Sequence, residues 1–304
     1  QERLQQNPAD EHRISSGSRA MIDFITFARA HNVEIDPARL YPSDKIKRCG
    51  TVEKPKSLNG AYFFDGERGW VQDWSGEARV IWYQDKNAKP WTDEEKRAFA
   101  LKRASAASEQ EQAYQRAALK ADIVLRSAKQ ESHPYLEIKG FPEEKGLVLD
   151  GKLLIPMRNV VTNKLQGYQS IQWNMEERKY EKKMLPGMRA KNAVLFFGHR
   201  DLPECWIVEG YVTGLSVLAA LRSVGIMASV VVAFSASNMV QIADQIPRKR
   251  FIFADNDESK TGEKAAIQTG LPWTMADTVG WDANDLHKKE SLYAVVAKIM
   301  KARM

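Results

Sequence analysis

Three acidic residues in the last third of the chain follow short apolar segments, a placement in which carboxylates often do chemistry. Glu209 comes directly after the segment CWIV, Asp255 comes directly after FIFA, and Asp257 follows two residues later. Such β-rich segments, alternating with helical patterns, predict an open α/β sheet that carries ligand-binding residues at the carboxyl ends of its strands. If the two strands are parallel neighbours, the three carboxylates converge and repel one another, and a hard divalent cation such as Mg²⁺ would neutralise them.

A simpler role for each acid is also open, because an Asp at the end of a strand commonly caps the next turn or helix. The joint pattern favours the metal site. Gly210 permits close approach beside Glu209, and a further acidic pair, Asp282 and Asp285, follows in the segment WDANDLH.

The composition limits what else the chain can be. Its 304 residues, 43% hydrophobic and 28% charged, suffice for two or three domains with cores. No apolar run approaches the roughly 20 residues of a membrane span and no secretory segment is evident, so we expect a cytoplasmic protein without a membrane partner. Two cysteines cannot form a disulfide framework or a zinc ribbon, so we predict no zinc. We expect any bound metal ion to be held by oxygen ligands. The formal charge of +6 is compatible with a polyanionic partner.

The elements that must position these acids predict an α+β multidomain fold. Ser18 is expected to cap a first helix, Thr92 and Glu95 form a capping-box pattern before a long run of helix formers, and DG, TNK and EER mark the turns of a later β-meander. The predicted segments are a flexible lead-in (1–17), a small N-terminal α+β module (18–90), a helical linker (91–132), a basic β-rich subdomain (133–200) and an α/β domain with a mostly parallel sheet and a C-terminal helix (201–304).

Aromatic residues are frequent in the N-terminal module, where two roles remain open. They could stack on the bases of a single-stranded template, or they could form the core of a small β-domain, which is their commoner role. The residues concerned are Tyr62, Phe64, Trp70, Trp74 and Trp82.

The acidic motifs resemble those of a known family. IVEGYVTGLSVLAAL followed by FIFADNDESKTGEKAA is similar to the Toprim domain of bacterial-type primases, type IA and II topoisomerases and some nucleases. The motif EGYxTG, followed by ADND and a later DxND, most resembles the motifs of primases from phages and conjugative plasmids. Upstream, LLIPMRNVVTNKLQGYQSIQ and KKMLPG resemble the β-rich subdomain that precedes Toprim in those enzymes.

This resemblance implies a DNA primase, a DNA-directed RNA polymerase that makes short RNA primers on single-stranded DNA for replication of a mobile element. Glu209, Asp255 and Asp257 would hold Mg²⁺ or Mn²⁺, and Asp282 or Asp285 would assist a second ion. The other partners implied are nucleoside triphosphates and a separate replicative helicase, since no Walker A motif occurs here. Cellular primases usually have an Asp four residues after the motif Glu, where this chain has Thr213, so the resemblance implies fewer carboxylate ligands here than in those enzymes.

A basic segment directly before the acidic motifs occupies the position at which the family grips triphosphate and template. Its cations could equally be the solvated face of a hairpin, since Glu176, Glu177 and Glu181 are interspersed with them. We assign nucleotide or template binding to Arg158, Lys182, Lys183, Arg189 and Lys191. Two alternatives to primer synthesis stay open: a Toprim nuclease that hydrolyses phosphodiesters, and a non-catalytic module that binds nucleic acid.

Overall fold

The computed structural model describes residues 8–74, 79–84 and 92–304, and its elements form the mixed α+β fold that the sequence predicts. The chain divides into two compact units, Gln1–Ala100 and Leu101–Met304. The boundary between them falls inside one long helix, within the segment predicted to be a helical linker. Among the described residues, no helix has both the length and the apolar character needed to cross a membrane.

The first unit is an antiparallel sheet packed on one helix. The helix begins at Pro8, ten residues before the predicted cap at Ser18, and a proline is well suited to the first helical position. The strands pair in the order β1-β2-β3-β4-β5. The elements are α1 (Pro8–Ala30), β1 (Val33–Glu34), β2 (Ser43–Thr51), β3 (Gly60–Phe64), β4 (Arg68–Asp73) and β5 (Val80–Gln84).

Strand alternation divides the N-terminal aromatic residues between the two faces of this sheet. Tyr62 and Phe64 are buried against α1, where the rings of Phe64 and Phe24 stack with their centroids 4.5 Å apart. Trp70 is next to the buried Val71 in the strand, so its side chain points to the opposite face of the sheet, and it pairs with Trp82 on the next strand. The core role therefore applies to Tyr62 and Phe64, whereas the tryptophans lie on the other face.

The second unit begins within α2, a single 35-residue helix, and continues with an antiparallel meander and then strand-helix alternation. Its elements are α2 (Asp93–Ser127), β6 (Lys129–Glu131), α3 (Pro134–Ile138), β7 (Gly146–Leu149), β8 (Lys152–Asn159), β9 (Leu165–Asn174), β10 (Lys179–Met184), β11 (Ala193–Phe197), β12 (Glu204–Val208), α4 (Tyr211–Ser223), β13 (Ala228–Val232), α5 (Ala236–Ala243), β14 (Lys249–Ala254), α6 (Thr261–Thr269), β15 (Trp273–Met275), α7 (Ala283–Lys289) and α8 (Leu292–Arg303).

One continuous sheet connects the meander to the parallel strands, in the order β10-β9-β8-β11-β13-β12-β14-β15. Strand β11 makes the connection, because it pairs antiparallel with β8 on one side and with β13 on the other. The predicted β-rich subdomain and the predicted α/β domain thus share a backbone hydrogen-bond network.

The parallel strands are buried on both faces. Trp206 and Val208 of β12 point into one core with α4, α7 and α8, whereas Cys205 and Ile207 point into a second core with α5 and α6. Burial on both faces explains why these strands are continuous apolar runs.

A buried carboxylate on β12 pairs with an arginine at the end of α8. Glu204 at the start of β12 accepts hydrogen bonds from the indole nitrogen of Trp206 at 2.8 Å and from the guanidinium of Arg303, at the end of α8, at 3.0 and 3.2 Å. The Glu204 side chain is only 7% exposed, so its charge depends on these protein donors.

We predict that Arg303→Ala lowers the free energy of unfolding by about 2 kcal/mol, because it leaves the Glu204 carboxylate buried without its cation. Urea denaturation of the full chain measures this change. The control is Arg248→Ala, which removes an exposed ion pair with Asp201 and should cost less than about 1 kcal/mol. Equal effects of the two variants would contradict the prediction.

Candidate metal and nucleotide site

The predicted acids meet at the carboxyl end of the parallel strands. Strands β12 and β14 are parallel neighbours, with Val208 paired to Phe253, so Glu209 and Asp255 leave the same edge of the sheet. An antiparallel bridge between Asn256 and Trp281 then places the following residue, Asp282, beside the same edge.

Two of the acids, Glu209 and Asp255, make no side-chain hydrogen bond or ion pair with any described residue, and Oδ1 of Asp255 is buried. Burial, followed by the charges of Asp282 and Glu209, raises the pKa of Asp255 to about 8. Burial and then the charge of Asp257 raise the pKa of Glu209. Neither carboxylate therefore has a hydrogen-bonded or ion-paired cation among the described residues.

The backbone that follows β13 helps to hold Glu209 in place. The amide of Phe234 donates a hydrogen bond to the carbonyl oxygen of Glu209 at 2.9 Å, and Phe234 adopts a φ of 64° to make it. Positive φ is unusual for a bulky residue and is often tolerated at functional sites. Sequence inspection of this segment, VVAFSAS, gave no signal for it.

Asp257 is held by its own neighbours. Partial burial opposes its ionisation, but hydrogen bonds from the Ser259 hydroxyl and from the backbone amides of Gly262 (2.9 Å) and Thr261 (3.1 Å) outweigh burial and lower its pKa. A side chain at Gly262 would lie 2.3 Å from the carbonyl oxygen of Asp255, so only glycine fits there. Ser259, Thr261 and Gly262, which belong to the segment SKTG shortly after Asp257, carry no functional signal of their own in the sequence.

Asp282 and Asp285 form a reciprocal cap at the start of α7. The amide of Asp285 donates to Oδ1 of Asp282 at 2.8 Å, and the amide of Asp282 donates to Oδ2 of Asp285 at 3.4 Å. Asp285 also lies 3.8 Å from the ammonium of Lys289. Only Asp282 of this pair contributes to the raised pKa of Asp255. The capping role considered from sequence therefore applies to Asp257, Asp282 and Asp285.

The residues present fit a hard divalent cation held by few protein ligands. In the described part of the chain, no three Asp, Glu, His or Cys side chains already surround one point. The buried, unpartnered Oδ1 of Asp255 and the unpartnered carboxylate of Glu209 nevertheless require a positive charge or a proton. Mg²⁺ and Mn²⁺ suit such a site, because Mg²⁺ in particular commonly binds one or two carboxylates and completes its shell with water and phosphate oxygens.

Alternation along β10 separates the two candidate lysines. Lys182 lies on the same face of the strand as Tyr180 and Met184, which pack on the core. Its positive charge partly opposes the rise in the pKa of Glu209 and of Asp255. Lys183 lies on the opposite face and pairs with Glu181 at 2.5 Å. The structure thus brings Lys182, but not Lys183, into the electrostatic range of the acids.

The other three predicted cations lie apart from the acids or are engaged elsewhere. Arg158 donates to the carbonyl oxygen of Asn163 at 3.3 Å. Arg189 pairs with Glu111 of α2 and lies over the ring of Tyr114, 4.6 Å from its centroid. Lys191 is exposed and has no side-chain partner among the described residues. None of the three perturbs the pKa of Glu209 or Asp255.

Comparison with known proteins shows a weak similarity to a solved structure. No family model matches the chain, and no curated protein matches it. Among solved structures, the chain is similar to one titled as the structure of the DnaG catalytic core, with a TM-score of 0.35 and 15% identity over 65% of this chain and 72% of the other. Because that similarity is low, the functional proposal below rests on the residues of the site.

We predict that the metal-free protein loses stability as the pH rises from about 5 to 8. The folded state keeps a proton on Asp255 that the unfolded state releases near its ordinary pKa, so the unfolded state binds fewer protons in this window. The slope for one such proton approaches about 1.4 kcal/mol per pH unit. Urea denaturation in EDTA at several pH values measures it.

Asp255→Asn should flatten most of this slope, because the amide stays neutral throughout the range. Asp244→Asn is the matched control, since Asp244 is an exposed carboxylate paired with Arg250, and it should keep the wild-type slope. A slope that persists in Asp255→Asn would show that another group carries the linkage.

Proposed function

We propose that this chain is a Toprim-type DNA primase that joins nucleotides into short RNA primers on single-stranded DNA, using Mg²⁺ or Mn²⁺. The observation that carries the proposal is the pair of carboxylates at one sheet edge, Glu209 and Asp255, which make no side-chain hydrogen bond or ion pair with a described residue and whose pKa values are influenced by the charge of Lys182 on β10 of the same sheet. Acids alone would bind a cation. Acids that face a cationic side chain also favour a phosphate group between the two charges.

Each residue of the site has a distinct part in this proposal. Glu209 and Asp255 would hold the cation, and Asp257 offers a third carboxylate whose orientation is fixed by its three donors. When bound, the cation would lower the pKa of an attacking 3′-hydroxyl and neutralise the triphosphate. Lys182 would donate to a phosphate oxygen of the incoming nucleotide, as a charge-assisted hydrogen bond.

We expect Asp255→Asn and Glu209→Gln to reduce primer synthesis at least about a hundredfold, because each removes a metal-binding charge. The assay incubates the full chain with single-stranded DNA of varied sequence, labelled nucleoside triphosphates and Mg²⁺ or Mn²⁺, and resolves the products on a gel. Asp244→Asn should retain wild-type activity.

Lysine variants in the same assay test the nucleotide role. Lys182→Ala should raise the KM for nucleoside triphosphates about tenfold or more, the cost of one hydrogen bond to a charged group. Lys183→Ala, its neighbour on the opposite face, should stay within about twofold of wild type, because Lys183 already pairs with Glu181 at the surface.

Other outcomes would replace the proposal. Metal-dependent degradation of the DNA without synthesis would identify a Toprim nuclease. Intact DNA that binds to the chain, with neither synthesis nor degradation, would identify a non-catalytic nucleic-acid-binding module.

The outer face of the N-terminal sheet supports a template as partner. Phe63, Trp70 and Trp82 form a row across three neighbouring strands, since Phe63 pairs with Trp70 and Trp70 with Trp82. Trp82 is 60% exposed and Trp74 is 51% exposed. The guanidinium of Arg48 lies 5.3 Å from the centre of the Trp74 ring. Exposed rings beside a cation suit the stacked bases and phosphates of a single strand.

We therefore expect Trp82→Ala to weaken binding of a fluorescent single-stranded oligonucleotide about tenfold, the value of one base stacked on an aromatic ring. Fluorescence anisotropy with the full chain at fixed salt measures the affinity. Tyr293→Ala removes another highly exposed aromatic side chain, on α8, and should leave the affinity unchanged. Equal affinities for wild type and Trp82→Ala would remove this face from the template site.

A further inference from the structure

The hydroxyl of Thr213 makes an uncommon long-range hydrogen bond. Thr213 lies in the first turn of α4, four residues after Glu209, and is fully buried. A threonine inside a helix usually bonds to the carbonyl four residues earlier. Here Oγ1 instead donates to Oδ2 of Asp282, 69 residues later in the chain, at 2.9 Å.

Space around the hydroxyl is limited by a neighbouring glycine. A side chain at Gly210 would lie 3.0 Å from Oγ1 of Thr213, closer than ordinary van der Waals contact. Gly210 therefore leaves the room in which the hydroxyl reaches Asp282. The same Glu-Gly pair that provides a proposed metal ligand also makes space for this hydrogen bond.

Asp282 has both of its carboxylate oxygens oriented by the protein. Oδ1 accepts from the Asp285 amide within the cap of α7, and Oδ2 accepts from Thr213. The cap alone would fix one oxygen and leave the plane of the carboxylate able to turn. With two donors on separate helices, the carboxylate is held in one orientation beside Asp255, whose pKa its charge raises.

We propose that Thr213 is a positioning residue, which holds the Asp282 carboxylate in one orientation beside Asp255, where Asp282 supports the metal site as an outer-shell partner. The inference rests on the proposed metal site. A carboxylate at position 213 would add a buried negative charge next to Asp282, whereas the hydroxyl supplies a neutral donor. Thr213 therefore acts through Asp282 and is not itself a ligand.

Binding of Mn²⁺ to the full chain tests this role without any activity assay. Affinity is measured by titration calorimetry and by electron paramagnetic resonance of the free ion, and the unfolding temperature is measured with EDTA and with Mn²⁺. Thr213→Val keeps the shape but removes the donor, and it should weaken Mn²⁺ binding about tenfold, as loss of an outer-shell partner does. Thr213→Ser keeps the donor and should stay within about twofold of wild type.

The double variant shows whether Thr213 acts through Asp282. If it does, Thr213→Val combined with Asp282→Asn binds Mn²⁺ no more weakly than Asp282→Asn alone, because the two changes remove one interaction. Thr274→Val, at a buried threonine on β15, is the control and should leave affinity unchanged. Should Thr213→Val fail to fold, Thr213→Cys keeps a small side chain with a weaker donor and replaces it in every measurement.

Three results are decisive. Wild-type affinity in folded Thr213→Val, or additive losses in the double variant, would overturn the inference while leaving the metal site intact. Absence of Mn²⁺ binding by the wild-type chain would instead overturn the proposed function on which the inference rests.

Discussion

The repulsion between carboxylates gathered at one sheet edge is the constraint on which the rest of this structure depends. Glu209 and Asp255 leave neighbouring parallel strands, and burial removes the water that would otherwise screen their charges. The protein compensates unevenly. It gives Asp257 and Asp282 several hydrogen-bond donors, and it leaves Glu209 and Asp255 without any partner among the described residues. Such an arrangement stores unfavourable electrostatic free energy that a bound cation would release.

Continuity of the long sheet brings a cation towards these acids. Strand β11 connects the meander to the parallel strands, so β10 at one end of the sheet and β14 near the other belong to the same body. The charge of Lys182 on β10 opposes the rise in the pKa of both Glu209 and Asp255, so strands far apart in the order of the sheet contribute to the electrostatics of the same acids. The proposed phosphate site would depend on this arrangement, because one hydrogen-bonded sheet carries Lys182 and the strands that precede both acids.

The first turns of three helices hold carboxylates of this site in place. Asp257 accepts two amides at the beginning of α6, Asp282 caps α7, and Thr213 in the first turn of α4 connects to Asp282. Capping is therefore compatible with the proposed metal binding. The donors that satisfy a helix terminus also fix the direction of a carboxylate, which is what a metal site needs from its surroundings.

The sequence by itself determined the α+β class, the meander with its three turns, and the common sheet edge of Glu209 and Asp255, because these follow from local periodicity and from the geometry of parallel strands. Only the tertiary structure decided which of two similar residues, close together in the sequence, lies towards the acids or the core. Lys182 and Lys183 are adjacent and chemically alike, yet one faces the acids and the other pairs with Glu181. Likewise, strand parity separated buried Tyr62 from exposed Trp82, and only the approach of α4 to α7 gave Thr213 its partner. Register and long-range packing set such choices, and neither is encoded in the spacing of residues along one segment.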